Sequence, residues 1–187
     1  RRDAVPGRLV GVRTLTFALR NSLWGGAAIL ATLAMDQATK AAVIAEAERL
    51  SVGVPVLPNF NLVFLRNEGV TFGLFGQIPW WALSVAAFGV SLWLLHLMLT
   101  TTKRIEAVAC GMIVGGALGN IADRVRFGAV TDFLDLYMGS WHWPAFNFAD
   151  VAVVCGVSLL ILHPLLTNRS SVTARRAARP EDPRRRP

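Results

Sequence analysis

The chain has 187 residues, of which 53% are hydrophobic and only 17% are charged, and its mean hydropathy is +0.47. So low a charged fraction is unusual for a soluble domain of this size and typical of a membrane protein. The formal charge of +7 is concentrated at the two ends of the chain. Nucleic-acid-binding proteins also have basic ends, but the apolar middle of this chain excludes that class.

Four apolar runs are long enough to cross a bilayer, which requires about 20 helical residues. They extend over residues 23–45, 78–99, 105–122 and 148–166. The first run is too long, and too polar at its far end, to be a cleaved signal peptide. We therefore predict an all-α membrane domain over residues 23–166, preceded by an N-terminal segment, 1–22, and followed by a disordered basic tail, 167–187.

The basic residues predict the orientation of these spans. Fourteen of the 19 lysines and arginines lie in the terminal segments or in the short turn 100–104 between the second and third runs. Because basic segments remain in the cytoplasm, both termini are expected there, and the loops 46–77 and 124–145 are expected to face outward. Four tryptophans then fall at the outer interface, namely Trp80, Trp81, Trp141 and Trp143.

The first outward loop has features of a small sheet. Residues 61–66 are rich in strand-forming side chains, and Gly69 and Gly73 follow at turn positions. Phenylalanines within and after this strand favour contact with the membrane interface. We predict a short hairpin or sheet that lies on the membrane and covers a polar site.

Charged residues at membrane depth gather near the outer ends of the runs. Asp36 and Lys40 are four residues apart, so they share one helix face and can pair. Asp123 ends the third run and Asp150 begins the fourth. Ionisable groups are costly in a membrane, and their presence therefore indicates a functional site.

Paired carboxylates suggest a particular chemistry. Two acids a few ångströms apart cannot both ionise cheaply, so they share one proton. The ionised member can activate water while the protonated member polarises a carbonyl group, as in aspartic peptidases. Asp123, Asp132 and Asp135 all remain candidates for the partner of Asp150, although an ion pair between Asp123 and Arg124 would leave Asp132 free. Three asparagines are candidate hydrogen-bond donors to these acids, namely Asn67, Asn120 and Asn147.

Small residues in the third run predict close helix packing. Gly111, Gly115 and Gly119 are spaced four apart, which lets another helix approach. Such packing would bring Asn120 and Asp123 against the fourth span, near Asp150. The two cysteines, Cys110 and Cys155, should lie too far apart in depth to form a disulfide.

Five motifs occur in order along the membrane domain. They are Asp36-Gln37-x-x-Lys40, Asn67-x-Gly69-x-x-Phe72-Gly73, Gly119-Asn120-x-x-Asp123-Arg124, Val130-x-Asp132-Phe133 and Phe146-Asn147-x-Ala149-Asp150. In their order and in the number of spans, the chain resembles the lipoprotein signal peptidases, also called signal peptidase II. One such motif alone would be weak evidence for the family, whereas five motifs in the same order are specific to it.

The resemblance implies a catalytic pair formed by Asp132 and Asp150. It implies supporting roles for Asp36, Lys40, Asn67, Gly69, Asn120, Asp123, Arg124 and Asn147. It also implies four transmembrane helices with a small periplasmic β-cradle built from the loop after the first span. The acids would then act at the outer leaflet of the bacterial inner membrane.

The same resemblance implies a substrate. Family members cut a diacylglyceryl-modified prolipoprotein just before its lipid-bearing cysteine and release the signal peptide. The expected partners are this substrate, membrane lipid and globomycin-type inhibitors, with no nucleic acid. No cofactor and no metal are implied.

Three other functions can be weighed against this one. A proton-coupled transporter would need polar residues through the inner half of the bundle, where His96, His163 and Glu106 lie only near the edge. A metal-dependent lipid enzyme would use Asp132 and Asp135 as a pair of ligands. A structural membrane subunit would use the same polar groups only as internal pairs.

Overall fold

Four long helices and a small sheet make up the structure, a computed structural model that describes residues 7–69 and 78–177. The helices are α1 (Gly7–Ala45), α2 (Ala47–Leu50), α3 (Trp80–Thr100), α4 (Arg104–Phe127) and α5 (Phe148–Ala177). The strands are β1 (Val54–Leu57), β2 (Phe60–Asn67), β3 (Val130–Met138) and β4 (Trp141–His142). Four helices are long and apolar enough to cross a membrane, which confirms the predicted number of spans.

Helix α4 is the central element of the bundle. It packs against α1, α3 and α5, and half of its span is buried, compared with about a fifth of each other span. An apolar cluster that includes Leu94, Met98, Cys110 and Ile113 joins α3 to α4. The outward faces of the other three spans carry exposed Leu, Val, Ile and Trp side chains, as expected for surfaces in contact with lipid.

The glycine stripe of α4 faces α1 rather than the fourth span, although Asn120 of α4 does reach Asp150 at the start of α5, as expected. A Cβ atom on Gly111 would collide with the backbone of Gly25, and one on Gly115 would lie 2.8 Å from the carbonyl oxygen of Ile29. Helix α5 instead approaches α4 at Gly116, where a Cβ atom would lie 2.6 Å from the carbonyl oxygen of Ala149. The fourth-residue spacing identified a close approach but not which neighbour makes it.

The sheet is antiparallel throughout and has the strand order β1-β2-β3-β4. Strands β1 and β2 form the hairpin predicted in the first outward loop. The second outward loop supplies β3 and β4, so the cradle is built from both loops rather than from the first alone. Asp132 and Asp135 therefore lie on a strand and not in a loop, because Val130–Met138 pairs along β2.

Beneath the sheet, Phe133 of β3 packs with Val43 and Leu50 at the ends of α1 and α2. This cluster fixes β3 against the helical bundle. The four predicted interface tryptophans, at the start of α3 and near β4, are all exposed. The tryptophans and the sheet thus lie at the same end of the bundle.

The helices extend beyond the predicted spans. Helix α1 begins at Gly7, α4 continues to Phe127, and α5 continues to Ala177. The predicted fourth run, 148–166, agrees with the candidate membrane span Phe148–Leu165, and α5 continues as a helix beyond it. Apolar composition predicts the part of a helix that lies in lipid, but not how far the helix continues beyond the membrane. The predictions for Phe72, Gly73 and residues 178–187 lie outside the described residues.

Candidate active site

A buried lysine is surrounded by two carboxylates where α1 meets α4. The Nζ atom of Lys40 lies 2.9 Å from Asp36 Oδ2 and 3.3 Å from Asp123 Oδ2. It also donates a hydrogen bond of 2.8 Å to Asn120 Oδ1. The pairing of Asp36 with Lys40 predicted from their spacing is confirmed. All three of these charged residues are almost completely buried, so the partners compensate much of the cost of removing charge from water.

Asp123 is held by groups other than Arg124. Its carboxylate accepts hydrogen bonds from the backbone N–H of Thr131 at 2.9 Å and from Gln37 Nε2 at 3.3 Å. The suggested ion pair with Arg124 is wrong, because adjacent residues on a helix point in different directions. Asp123 nevertheless serves a structural purpose, and this role leaves Asp132 as the candidate partner of Asp150.

Asp132 lies on β3 between two asparagine amides. Asn147 Nδ2 donates to its Oδ1 atom at 2.7 Å, and Asn67 Nδ2 donates to its Oδ2 atom at 2.9 Å. Asn67 is itself oriented by the backbone N–H of Gly69, which donates to Asn67 Oδ1 at 3.1 Å. Gly69 has a φ of +146°, a conformation that favours glycine.

Asp150 lies in the first turn of α5 and is joined to Asp132 through Asn147. The backbone N–H of Asn147 donates to Asp150 Oδ2, and the N–H of Asp150 donates to Asn147 Oδ1, both at 3.1 Å. This reciprocal arrangement is a capping box at the start of α5. Asn120 Nδ2 donates to the second oxygen of Asp150 at 2.9 Å. One asparagine thus contacts both acids.

The surroundings of Asp132 favour its protonated form. The pKa of Asp132 is raised from 3.8 to about 6, chiefly by burial and also by the nearby charge of Asp150. The hydrogen bonds from Asn67 and Asn147, together with the charge of Lys40, act in the opposite direction. Asp132 therefore keeps a proton to a higher pH than an ordinary aspartate does.

Arg124 faces the acids without forming an ion pair with one of them. Its guanidinium group interacts electrostatically with Asp150, Asp132 and Asp123. Within the described part of the chain, its buried Nε–H has no hydrogen-bond partner. A buried donor of this kind is costly unless a further acceptor, such as a substrate carbonyl, comes into reach.

Asp135 does not join this site. It accepts a hydrogen bond of 3.0 Å from Asn61 Nδ2, and its Oδ1 atom lies 2.8 Å from His142 Nδ1. Residues three apart on a strand point to opposite faces, which explains why Asp132 and Asp135 have separate partners. Among the described residues, no cluster of three or more His, Cys, Asp or Glu side chains could hold a metal ion.

Sequence reasoning missed three contributors to these networks. His142 lies opposite Tyr137 in the β3–β4 hairpin, and its Nδ1 atom lies 2.8 Å from Asp135 Oδ1. Thr131 is fully buried and connects β3 to Asp123, and Arg66 Nη1 donates to its hydroxyl oxygen at 2.8 Å. The alternation of side chains along β3 was the signal available for them, because it places Thr131 and Asp132 on opposite faces.

Comparison with known proteins decides among the functions considered above. The family model described as signal peptidase (SPase) II matches residues 28–166, which is most of the chain. The chain belongs to the signal peptidase II family. Members of this family are aspartic peptidases that cleave signal peptides from prolipoproteins.

Curated relatives agree with the family model. The lipoprotein signal peptidase of Anaplasma marginale is 40% identical over 141 residues, which cover 74% of this chain and 82% of that protein. The protein of the same name from Anaplasma phagocytophilum is 37% identical and aligns over its whole length with 83% of this chain. That of Paraburkholderia phymatum is 39% identical, and the alignment covers 82% of this chain and 95% of that protein.

Solved structures share the fold. A bacterial membrane enzyme determined by the in meso method at 2.3 Å is 28% identical, with a TM-score of 0.67. The match covers 79% of this chain and 90% of that one. A second such enzyme, at 1.9 Å, is 26% identical with a TM-score of 0.65, and the match covers 75% of this chain and 92% of that one. The signal peptidase II family and these neighbours make this chain a bacterial membrane protein.

Proposed function

We propose that this chain is an intramembrane aspartic endopeptidase that removes the signal peptide from diacylglyceryl-modified prolipoproteins, with Asp132 and Asp150 as its catalytic pair. The observation that carries the proposal is the position of Asn147, which hydrogen-bonds to both carboxylates. A shared neighbour of this kind keeps the two acids near each other, and the charge of Asp150 acts on Asp132. Membership of the signal peptidase II family supplies the substrate class.

The reaction follows from the unequal environments of the two acids. Asp132, with the raised pKa, holds the shared proton and donates a hydrogen bond to the oxygen of the scissile carbonyl. Asp150, in its ionised form, takes a proton from a water molecule as that water attacks the carbonyl carbon. The tetrahedral intermediate collapses when the C–N bond breaks and a proton passes to the leaving amine. The products are the released signal peptide and a lipoprotein with a free N-terminal amine.

The remaining family residues support this pair. Asn67, Gly69, Asn120 and Asn147 orient the two carboxylates through the hydrogen bonds described above. Asp36, Lys40 and Asp123 fix α1 against α4, and Asp36 Oδ1 also accepts the N–H of Ala149 in the first turn of α5 at 3.0 Å. Arg124 is placed to donate its free Nε–H to a substrate carbonyl oxygen.

The proposed location is the outer leaflet of the bacterial inner membrane. The site lies at the same end of the bundle as the sheet and the exposed tryptophans. Both termini are assigned to the cytoplasm because most of the basic residues lie in the terminal segments and the α3–α4 turn. A substrate anchored by its lipid would then present the scissile bond at the depth of Asp150. Globomycin-type inhibitors are expected to bind at this site.

The test is cleavage of a lipidated prolipoprotein by the purified protein in detergent or in vesicles. Asp132→Asn and Asp150→Asn are each expected to lower kcat by about a thousandfold or more, because each removes one of the two proton-transfer groups. The matched control is Asp135→Asn, a third acid on the same strand with separate partners. It should retain activity within about threefold. Wild-type turnover by either catalytic variant would refute the assignment.

A further inference from the structure

One glutamine amide lies between helices α1 and α4, next to the strand that carries Asp132. Gln37 Nε2 donates to Asp123 Oδ1 at 3.3 Å and to Asp36 Oδ2 at 3.1 Å. It also lies 3.3 Å from the carbonyl oxygen of Gly119. Asp36 and Asp123 are almost completely buried, so an N–H donor beside each of them offsets part of the cost of burying their charge.

The other end of this amide is held by an arginine. Arg126, in the last turn of α4, donates its Nη1–H to Gln37 Oε1 at 2.9 Å. Arg126 is exposed, and among the described residues it forms no ion pair with an acid. An arginine can only donate and a carboxylate can only accept, so the arginine and the two acids favour the same orientation of the amide. The contact with Arg126 therefore keeps the NH₂ end of Gln37 directed at the acids.

The carboxylate that receives this amide holds the start of β3. Asp123 Oδ2 accepts the backbone N–H of Thr131 at 2.9 Å, and Asp132 is the next residue of the strand. With Gln37 on Oδ1 and Thr131 on Oδ2, the carboxylate of Asp123 cannot rotate without losing a hydrogen bond. The position of Asp132 thus depends in part on the contact between Gln37 and Asp123.

We propose that Gln37 and Arg126 are positioning residues for Asp132. Gln37 holds the Asp123 carboxylate, which holds the first residues of β3, and Arg126 holds Gln37. The inference rests on the proposed function, since it takes Asp132 as one of the catalytic acids. In the part of the chain that the structure describes, neither side chain hydrogen-bonds to Asp132 or Asp150. Any effect of the two residues on turnover therefore passes through Asp123.

The first experiment compares turnover of a lipidated prolipoprotein by variants of the purified protein. Gln37→Ala should lower kcat about tenfold and leave KM within about twofold, because it loosens a reacting group and not the surface that binds the substrate. Gln37→Glu keeps the shape but replaces the donor by an acceptor, and it should lose at least as much. Arg126→Gln should lower kcat about threefold. Arg126→Lys should recover most of this loss, because an ammonium group can also donate to Gln37.

The double variant tests whether the two residues act in series. If Arg126 acts through Gln37, the protein with both Gln37→Ala and Arg126→Gln should have the kcat of Gln37→Ala alone. Arg49→Gln is the matched control, because it removes an exposed arginine of α2 that lies 4.0 Å from Glu46, and it should keep kcat within about twofold. Wild-type kcat for Gln37→Ala, or losses that multiply in the double variant, would overturn the proposal.

The second experiment measures the start of β3 directly. In detergent, hydrogen exchange of the Thr131 amide should be at least about fivefold faster in Gln37→Ala than in the wild type, because its acceptor is no longer held. The Tyr137 amide is the internal control, since it lies towards the other end of β3, donates to the carbonyl oxygen of Asn59 at 3.0 Å and should be unchanged. Unchanged exchange at Thr131, or equal acceleration at both amides, would overturn the proposal. Failure of the proposed function would appear separately, as wild-type turnover by Asp132→Asn.

Discussion

Asp132 combines two features that have opposite effects on its pKa, namely deep burial and hydrogen bonding of both carboxylate oxygens. It is 3% exposed, and each of its oxygens accepts a hydrogen bond from an asparagine amide. Burial raises its pKa, while these amides limit the rise. An amide is suited to this position because it stabilises the charge without adding a competing one, so the acid can still hold a proton near neutral pH.

Asn67 is expected to determine the pH range of activity. Its hydrogen bond lowers the pKa of Asp132, so Asn67→Ala should raise that pKa above about 6. Because the role proposed for Asp132 requires its protonated form, kcat/KM should decline at high pH, and the decline should begin at a higher pH in the variant. Loss of the hydrogen bond should also lower the maximal kcat/KM about tenfold. The measurement is the pH profile of kcat/KM.

The control for Asn67 lies on the same strand. Asn61 also donates its amide to an aspartate, but to Asp135. Asn61→Ala should therefore leave the alkaline part of the pH profile in place. If both variants shift the profile equally, or if Asn67→Ala shifts it to lower pH, Asp132 is not the proton-holding acid.

Lys40 is expected to be essential for stability rather than for chemistry. It neutralises part of the charge of two buried carboxylates, and Lys40→Met would leave Asp36 and Asp123 without a cation. Removing one partner of a buried ionic cluster costs about 3–5 kcal/mol. The control is Lys103→Met, which breaks a 2.7 Å pair with Glu106 at a half-exposed site and should cost less than about 1 kcal/mol. Unfolding in detergent measures both, and equal losses would contradict the argument.

The acids differ in how much of their role and pairing can be predicted from the sequence. The Asp36–Lys40 pair is local, and its four-residue spacing predicts it directly. The choice among Asp123, Asp132 and Asp135 depends on contacts distant in sequence, such as the Gln37 amide that reaches Asp123. Spacing alone left that choice open, and the motifs resolved it only through resemblance to a family.

At the scale of elements, two glycine contacts set the positions of the helices that carry the acids. Gly115 lets α1 approach α4, which brings Lys40 to Asp123. Gly116 lets α5 approach α4 from another side, near Asp150. Adjacent glycines on one helix thus serve two different neighbours. This division explains why α4 is the most buried of the four spans.

Gly115→Ala is expected to separate α1 from α4. Its Cβ atom would lie 2.8 Å from the carbonyl oxygen of Ile29, which is backbone and cannot rotate away. Overpacking of this kind costs about 1–3 kcal/mol. Gly89→Ala on α3 is the control, because a Cβ atom there meets nothing within 4 Å. Thermal unfolding should show a loss for Gly115→Ala alone. Equal stability of the two variants would contradict the packing argument.

Sequence predicted the elements better than their connections. Apolar run length identified all four spans, because lipid exposure imposes a composition on a helix whatever its neighbours are. The β1–β2 hairpin is likewise local. The sequence predicts a loop where strand β3 forms, since the polar residues Thr131, Asp132 and Asp135 are buried only after this segment pairs with β2. Tertiary pairing, rather than local propensity, makes it a strand.

At the scale of the whole molecule, the polar chemistry lies at one end of an apolar bundle. The acids, the asparagines and the sheet are at the ends of α1 and α4 and at the start of α5. At the opposite end, between α3 and α4, the described side chains form an exposed basic turn with Lys103 and Arg104. The first span begins at this end, where Arg104 packs over Trp24, and an even number of spans predicts that the fourth span ends on the same side. The distribution of charge then predicts which side faces the cytoplasm.

This orientation can be tested with two single thiols in a Cys110→Ala, Cys155→Ser background. Ser140→Cys lies in the exposed β3–β4 turn, and Thr102→Cys lies in the exposed α3–α4 turn at the other end of the molecule. In intact cells, a membrane-impermeant maleimide should modify Cys at position 140 at least about tenfold faster than at position 102, since only outward groups are reachable. Permeabilisation should make the two rates similar. The reverse order in intact cells would place the acids on the cytoplasmic side, where a lipid-anchored outer-leaflet substrate cannot reach them.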